Sequence, residues 1–128
     1  MTREQLIKIC LEMPESFVDY PYGPEVEVIR NKAKKSFALI GIVSAAMKKS
    51  CGEGVPVEEG DIFLTVKSPL ELIYVLRDQY KAVLPGYYSN KDHWNTIIIG
   101  KDFPDSELKN MIALSFELVS PKKKSEKK

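Results

Sequence analysis

The chain has 128 residues, 44% of them hydrophobic and 29% charged, which suits one buried core and excludes both a disordered chain and a membrane-spanning one. The net charge of +1 is uneven: "PKKKSEKK" (Pro121 to Lys128) holds five lysines and one glutamate, leaving 14 basic and 17 acidic residues elsewhere. A body of net charge −3 excludes a broad nucleic-acid footprint and leaves room for a local one.

The opening "TREQ" has the capping-box form, with Thr2 placed to accept from the amide of Gln5, and Leu6, Ile9, Cys10 and Met13 follow at helical spacing. This predicts a helix to about Met13. Pro14 then disfavours helix, and "PESFVDYPYGP" reads as an irregular arm held to the body by Phe17, Tyr20 and Tyr22. From Glu25 the pattern turns to period two. Val26 and Val28, the basic run "RNKAKK" and "SFALIGIV", in which Phe37 and Leu39 alternate with Ala38 and Ile40, predict a β-hairpin with a basic tip. Ser44 to Asp61 mixes small residues, glycines and acids, and reads as a long loop or as a short helical turn over Ala45 to Lys49 followed by a loop.

"IFLTVK" predicts a third strand, with Phe63 on one face and Ile62, Leu64 and Val66 on the other. "SPLELIYVLRDQY" predicts a helix capped by Ser68, with Pro69 in its first turn, Glu71 completing a capping box, and Leu72, Ile73, Leu76 and Tyr80 as the buried stripe. "NTIII" predicts a strand ending at Gly100. "PDSELKNMIALSFELV" predicts a last helix buried through Leu108, Met111, Ile112, Ser115 and Val119. The element order α-β-β-β-α-β-α argues for an α+β two-layer sandwich, an antiparallel sheet with helices on one face. Residues 1–120 form one expected domain, and 121–128 a lysine-rich tail too polar to fold.

Three segments together resemble the MmcQ/YjbR family: "YPYGPEVEVIRNKAKKSFALI", "VKSPLELIYVLRDQYKAVLPGYYSNKDHW" and "FPDSELKNMIALSFELV". The resemblance covers most of the chain and implies a frataxin-like (CyaY-like) two-layer fold and a DNA-binding role, sometimes through a double-wing arrangement. It implies no catalytic residues. The link from Ser44 to Asp61 is longer than the hairpin usual in that family, so it is placed to cover or reshape a shared surface.

Two surfaces stand out. The hairpin tip carries Arg30, Lys32, Lys34 and Lys35, and a positive β-ribbon can follow a phosphate backbone; lysines also gather at tips simply to stay solvated and guard strand edges. "LPGYYSNKDHWNTIII" holds the only histidine, His93, and the only tryptophan, Trp94. Trp94 reads as a structural plug fixing the joint, leaving Tyr88, Lys91 and His93 as candidate nucleic-acid contacts or as one wall of a small-molecule or protein site formed by the Tyr87 to Trp94 loop. His93 has no nucleophile motif or orienting partner in sequence, so the expected protein is a binder and not an enzyme. Glu53, Glu58, Glu59 and Asp61 lack the spacing of a calcium loop, and helix 1 mixes Glu4 and Glu12 with Arg3 and Lys8, unlike the acidic first helix that binds iron in frataxins. No metal or cofactor is expected. Cys10 and Cys51 read as free thiols, and the start "MTREQLIKIC" lacks the features of a signal peptide, so the expected protein is a cytoplasmic monomer with no membrane partner.

Overall fold

A computed structural model describes residues 1–87 and 89–120. Tyr88 and the lysine tail therefore lie outside the described residues. In chain order the elements are α1 (Arg3–Leu11), β1 (Phe17–Asp19), β2 (Val26–Arg30), β3 (Ser36–Ile42), α2 (Ala45–Cys51), β4 (Ile62–Lys67), α3 (Leu70–Gln79), β5 (Val83–Pro85), β6 (Trp94–Ile98) and α4 (Leu108–Val119). A 3-10 turn over Asp105–Glu107 leads into α4. The strands form one antiparallel sheet in the order β1-β2-β3-β4-β6-β5. This is the expected two-layer α+β architecture, with β1 and β5 added and the Ser44 to Asp61 link taking its helical alternative as α2.

The register separates the two faces. Val28 pairs with Leu39, Ile40 with Leu64 and Leu64 with Ile97, so Glu27, Ile29, Ala38, Ile40, Leu64, Val66, Asn95 and Ile97 share one face. Helices α1, α3 and α4 cover it. Leu6 and Cys10 of α1 and Leu108 and Ile112 of α4 are buried there, and Arg3 forks onto Glu27 at 2.7 and 2.9 Å. The capping box of α1 forms as the sequence predicts: Gln5 N donates to Thr2 Oγ1 at 3.1 Å and Thr2 N donates to Gln5 Oε1 at 2.8 Å.

The opposite face carries Val26, Val28, Leu39, Phe63, Thr65, Leu84 and Thr96. Here the long Ser44 to Asp61 link does its packing. Ser44 caps α2 through Met47 N, and Val43 and Asp61 close the base of the excursion, with Val43 N to Asp61 O at 2.7 Å and Gly60 N to Val43 O at 2.8 Å. Buried Met47 and Val57 belong to the same core as Phe63. The link is therefore a covering flap built from a helix and a loop, and its helix occupies the place the sequence left open.

Three local expectations fail for physical reasons. Phe17 and Tyr20 do not anchor the arm, being 40% and 49% exposed. The arm is attached instead by backbone pairing of β1 with β2. Phe37 does not share a face with Leu39, because a bulge opposite Ile29 and Arg30 turns it to the helical face, where it meets Phe116 of α4 edge to face at 5.1 Å. Ser68 does not cap α3. Pro69 takes that position with ψ 151°, while Ser68 N donates to His93 O and the buried Ser68 hydroxyl has no partner among the described residues. The α3 stripe is correspondingly shallow: Ile73 is buried, whereas Leu72, Leu76 and Tyr80 are half-buried.

Candidate functional site

The turn between β2 and β3 is organised by Asn31, which is 3% exposed. Its amide donates to Lys35 O at 2.9 Å, its carbonyl accepts from Lys34 N at 2.9 Å, and its side-chain oxygen accepts from Lys35 N at 2.9 Å. Its Nδ2 reaches Val119 O at 3.4 Å, tying the tip to the end of α4. Lys34 closes the turn in the left-handed region, at φ 67°. These bonds seat the tip over the C-terminus of α4, beside the end of β4.

The consequence is a shallow cleft of about 530 Å³ in which Arg30, Lys34 and Lys35 meet Lys67, with Ser36, Leu118, Val119 and Ser120 forming the remainder. Lys67 is the residue that sequence reasoning missed. Its place is fixed by a buried hydroxyl: Ser115 Oγ donates to Phe37 O at 2.6 Å and accepts from Lys67 N at 2.9 Å. Only the register of β3 against β4, which brings position 67 beside the tip, signals this in advance.

The charges of the cleft are not equivalent. Arg30 is engaged, with Nε donating to Asp19 Oδ2 at 2.8 Å and Nη1 to Lys34 O at 3.1 Å. The Arg30 hydrogen bond, reinforced by the Tyr20 backbone amide and the Arg30 charge, holds the Asp19 carboxyl below its ordinary range. Lys32 turns away, 3.5 Å from Glu15, into a separate hollow with Ala33 and Phe116. Lys34, Lys35 and Lys67 have no carboxylate partner among the described residues.

The loop before β6 is held from α3. Arg77 donates through Nε to Asn95 Oδ1 at 2.7 Å and through Nη2 to the carbonyls of Lys91 and Trp94, the latter at 3.2 Å. Asn95, 1% exposed, donates in turn to Ile73 O at 3.2 Å. Asn90 makes the tight turn, its carbonyl accepting from His93 N and Trp94 N and its side chain from Asp92 N. Trp94 is half-buried, pairs with Lys67 across the ladder, and lies directly against Gly86. Lys91 is exposed and lines a different, largely apolar cavity, so the structure separates it from the cations of the basic cleft.

The His93 imidazole is half-buried without a hydrogen-bond partner among the described residues, and they hold no group of three or more His, Cys, Asp or Glu side chains able to bind a metal ion. Both cysteines are unpaired. No described helix is long and apolar enough to cross a membrane.

The overall fold is shared with known proteins. The YjbR family model matches residues 11–118. The chain belongs to the YjbR family. Among YjbR relatives, the uncharacterized protein YyaQ of Bacillus subtilis (strain 168) is 30% identical over 122 residues, covering 92% of this chain and 98% of YyaQ. The uncharacterized protein YjbR of Escherichia coli (strain K12) is 27% identical over 117 residues, covering 91% of this chain and 86% of its own. A crystal structure of a Pseudomonas syringae protein superposes with a TM-score of 0.76 at 25% identity, covering 94% of this chain and all of that one. Deinococcus radiodurans protein DR2400, whose domain carries the designation DUF419, superposes with a TM-score of 0.74 at 25% identity, covering 98% of this chain and 85% of its own.

Proposed function

We propose that this YjbR-family protein is a non-enzymatic binder of nucleic acid, acting on the phosphate backbone of duplex DNA through the cleft of Arg30, Lys34, Lys35 and Lys67. The observation that carries this reading is the convergence of Lys67 with the hairpin cations. A solvated tip needs no fourth cation from another strand, and Ser115 ties that strand end to β3, accepting from Lys67 N and donating to Phe37 O. The compact footprint is compatible with a body of net negative charge, because attraction between exposed charges is confined to about a Debye length at cellular salt.

The available cations set the magnitude. Three lysines without carboxylate partners would release close to three counterions, so affinity should fall about 40-fold between roughly 50 and 200 mM salt. The test is a salt series of duplex binding by fluorescence anisotropy on the full chain and on Lys34→Glu/Lys35→Glu and Lys67→Glu. The reading predicts that both variants bind more weakly and with flatter salt slopes. It fails where affinity is salt-independent, or where Lys67→Glu binds like the parent.

A further inference from the structure

The flap and the β5–β6 edge enclose a second site, which lies apart from the basic cleft. It is a cavity of about 260 Å³ between α2, the loop after it and the last two strands of the sheet. Met47, Val55, Leu84 and Pro85 give it apolar walls, and Cys51, Tyr87 and Thr96 complete them. Lys91 stands at its rim as the sole charged residue of the lining among the described residues.

We propose that this cavity binds a small monocarboxylate, its apolar body against Met47, Val55 and Leu84 and its carboxylate on the Lys91 ammonium. Size supports the body: a cavity of about 150 Å³ lined by apolar side chains already holds benzene, and this one is larger. The polar accounting selects the head group. Thr96 Oγ1 is occupied, accepting from Tyr87 N at 2.8 Å and sharing a hydrogen with Thr65 Oγ1 at 2.6 Å. The Ser50 hydroxyl donates to Met47 O at 2.8 Å. Lys91, with three N–H donors, spends one on Gly86 O at a long 3.4 Å. The Lys91 ammonium therefore keeps N–H donors that an anionic acceptor in the cavity can take. Its position is built, because the Lys91 main chain accepts from Arg77, itself locked onto buried Asn95. A lysine on an unanchored loop would have no such registry with the cavity.

The proposal is tested with three probes of one tail and three heads: hexanoate, 1-hexanol and hexylammonium, titrated into isotope-labelled full-length protein. Hexanoate should shift the amides of Cys51, Leu84, Lys91 and Thr96 with a Kd of about 1 mM, the weak affinity expected of so few heavy atoms. Hexanol should bind about tenfold more weakly, because it lacks the charge-assisted bond. Hexylammonium should leave these amides unmoved. Lys91→Met, which keeps the apolar stem, should weaken hexanoate about tenfold and leave hexanol unchanged. Hexylammonium binding as well as hexanoate, no shift with hexanoate at about 20 mM, well above the Kd expected for such a ligand, or undiminished hexanoate binding in Lys91→Met would each overturn it. Lys34→Glu/Lys35→Glu should bind hexanoate like the parent, which separates this outcome from that of the DNA titration.

Discussion

Arg77 on α3 and Asn95 on β6 meet through Nε and Oδ1 at 2.7 Å, and this contact fixes the loop that carries Lys91, His93 and Trp94. Asn95 is buried and spends its Nδ2 on Ile73 O, so its oxygen has no water to replace a lost guanidinium. Arg77→Met should therefore destabilise the fold by about 2–3 kcal/mol, because it orphans a buried acceptor and frees the Lys91 carbonyl. Urea denaturation reads the loss. Hydrogen exchange should rise first in residues 89–95, and equal protection there in parent and variant would count against the pin.

A second hydroxyl couples stability to the basic cleft. Ser115 satisfies the Phe37 carbonyl at the β3 bulge and the Lys67 amide at the end of β4, and it is fully buried. Ser115→Ala removes both partners at once and should cost about 2–4 kcal/mol in chemical denaturation. DNA affinity should fall as well in the folded fraction, since the Lys67 strand end loses its tether. Unchanged affinity with reduced stability would confine Ser115 to the core.

Gly86 supplies a steric test of the same joint. A Cβ there would stand 2.8 Å from Trp94 Cβ and 3.0 Å from Trp94 O, and neither atom can swing aside. Gly86→Ala should cost about 2 kcal/mol by overpacking, seen as a lowered Tm. A variant as stable as the parent would mean that the β5–β6 hairpin can open at no cost.

These relationships mark where sequence legibility ends. The capping box at Thr2, the α4 stripe and the strand at "IFLTVK" were readable because each depends on residues within one or two turns of one another. Lys67 and Arg77 were not, since one acquires its role through the register of β3 against β4 and the other through a buried amide 18 residues away. Ser68 misled because "SPLE" satisfies a capping pattern, yet its amide bonds to His93 O and leaves Pro69 to start the helix. The arm misled for the opposite reason: three residues of backbone pairing leave no side-chain signature, whereas its exposed aromatics look like anchors. The hairpin cations were visible as a group, but their separation into Arg30, Lys34 and Lys35 in one cleft and Lys32 in another needs the turn geometry set by Asn31.

The two thiols should differ sharply in reactivity. Burial pushes the Cys10 thiol up to about 12, and its residue is inaccessible on the inner face of α1. Burial also raises the Cys51 thiol, yet this residue is half-buried and lines the cavity beside Lys91. In native protein at pH 8, iodoacetamide should modify Cys51 slowly and Cys10 only on unfolding, because the thiolate is the nucleophile and must be reachable. Mass spectrometry of tryptic peptides locates the adduct. Modification of Cys10 at the rate of Cys51 would show that α1 opens in the native state.

Asp19 is predicted to act as a brake on the cleft as well as a support for β1. Its folded pKa lies below the ordinary carboxylate value, so its stabilising contribution is complete above about pH 4 and is lost as pH falls through the folded value. Asp19→Asn should remove this component from the acid limb of a stability profile while changing little at pH 7, as expected for an exposed ion pair. The same substitution deletes a negative charge beside the cleft and releases Arg30 for phosphate. Duplex affinity should rise a few-fold, and the salt slope should steepen by about 0.9 for the added counterion. An unchanged slope would show that Arg30 stays committed to the turn through Lys34 O and contributes no phosphate contact.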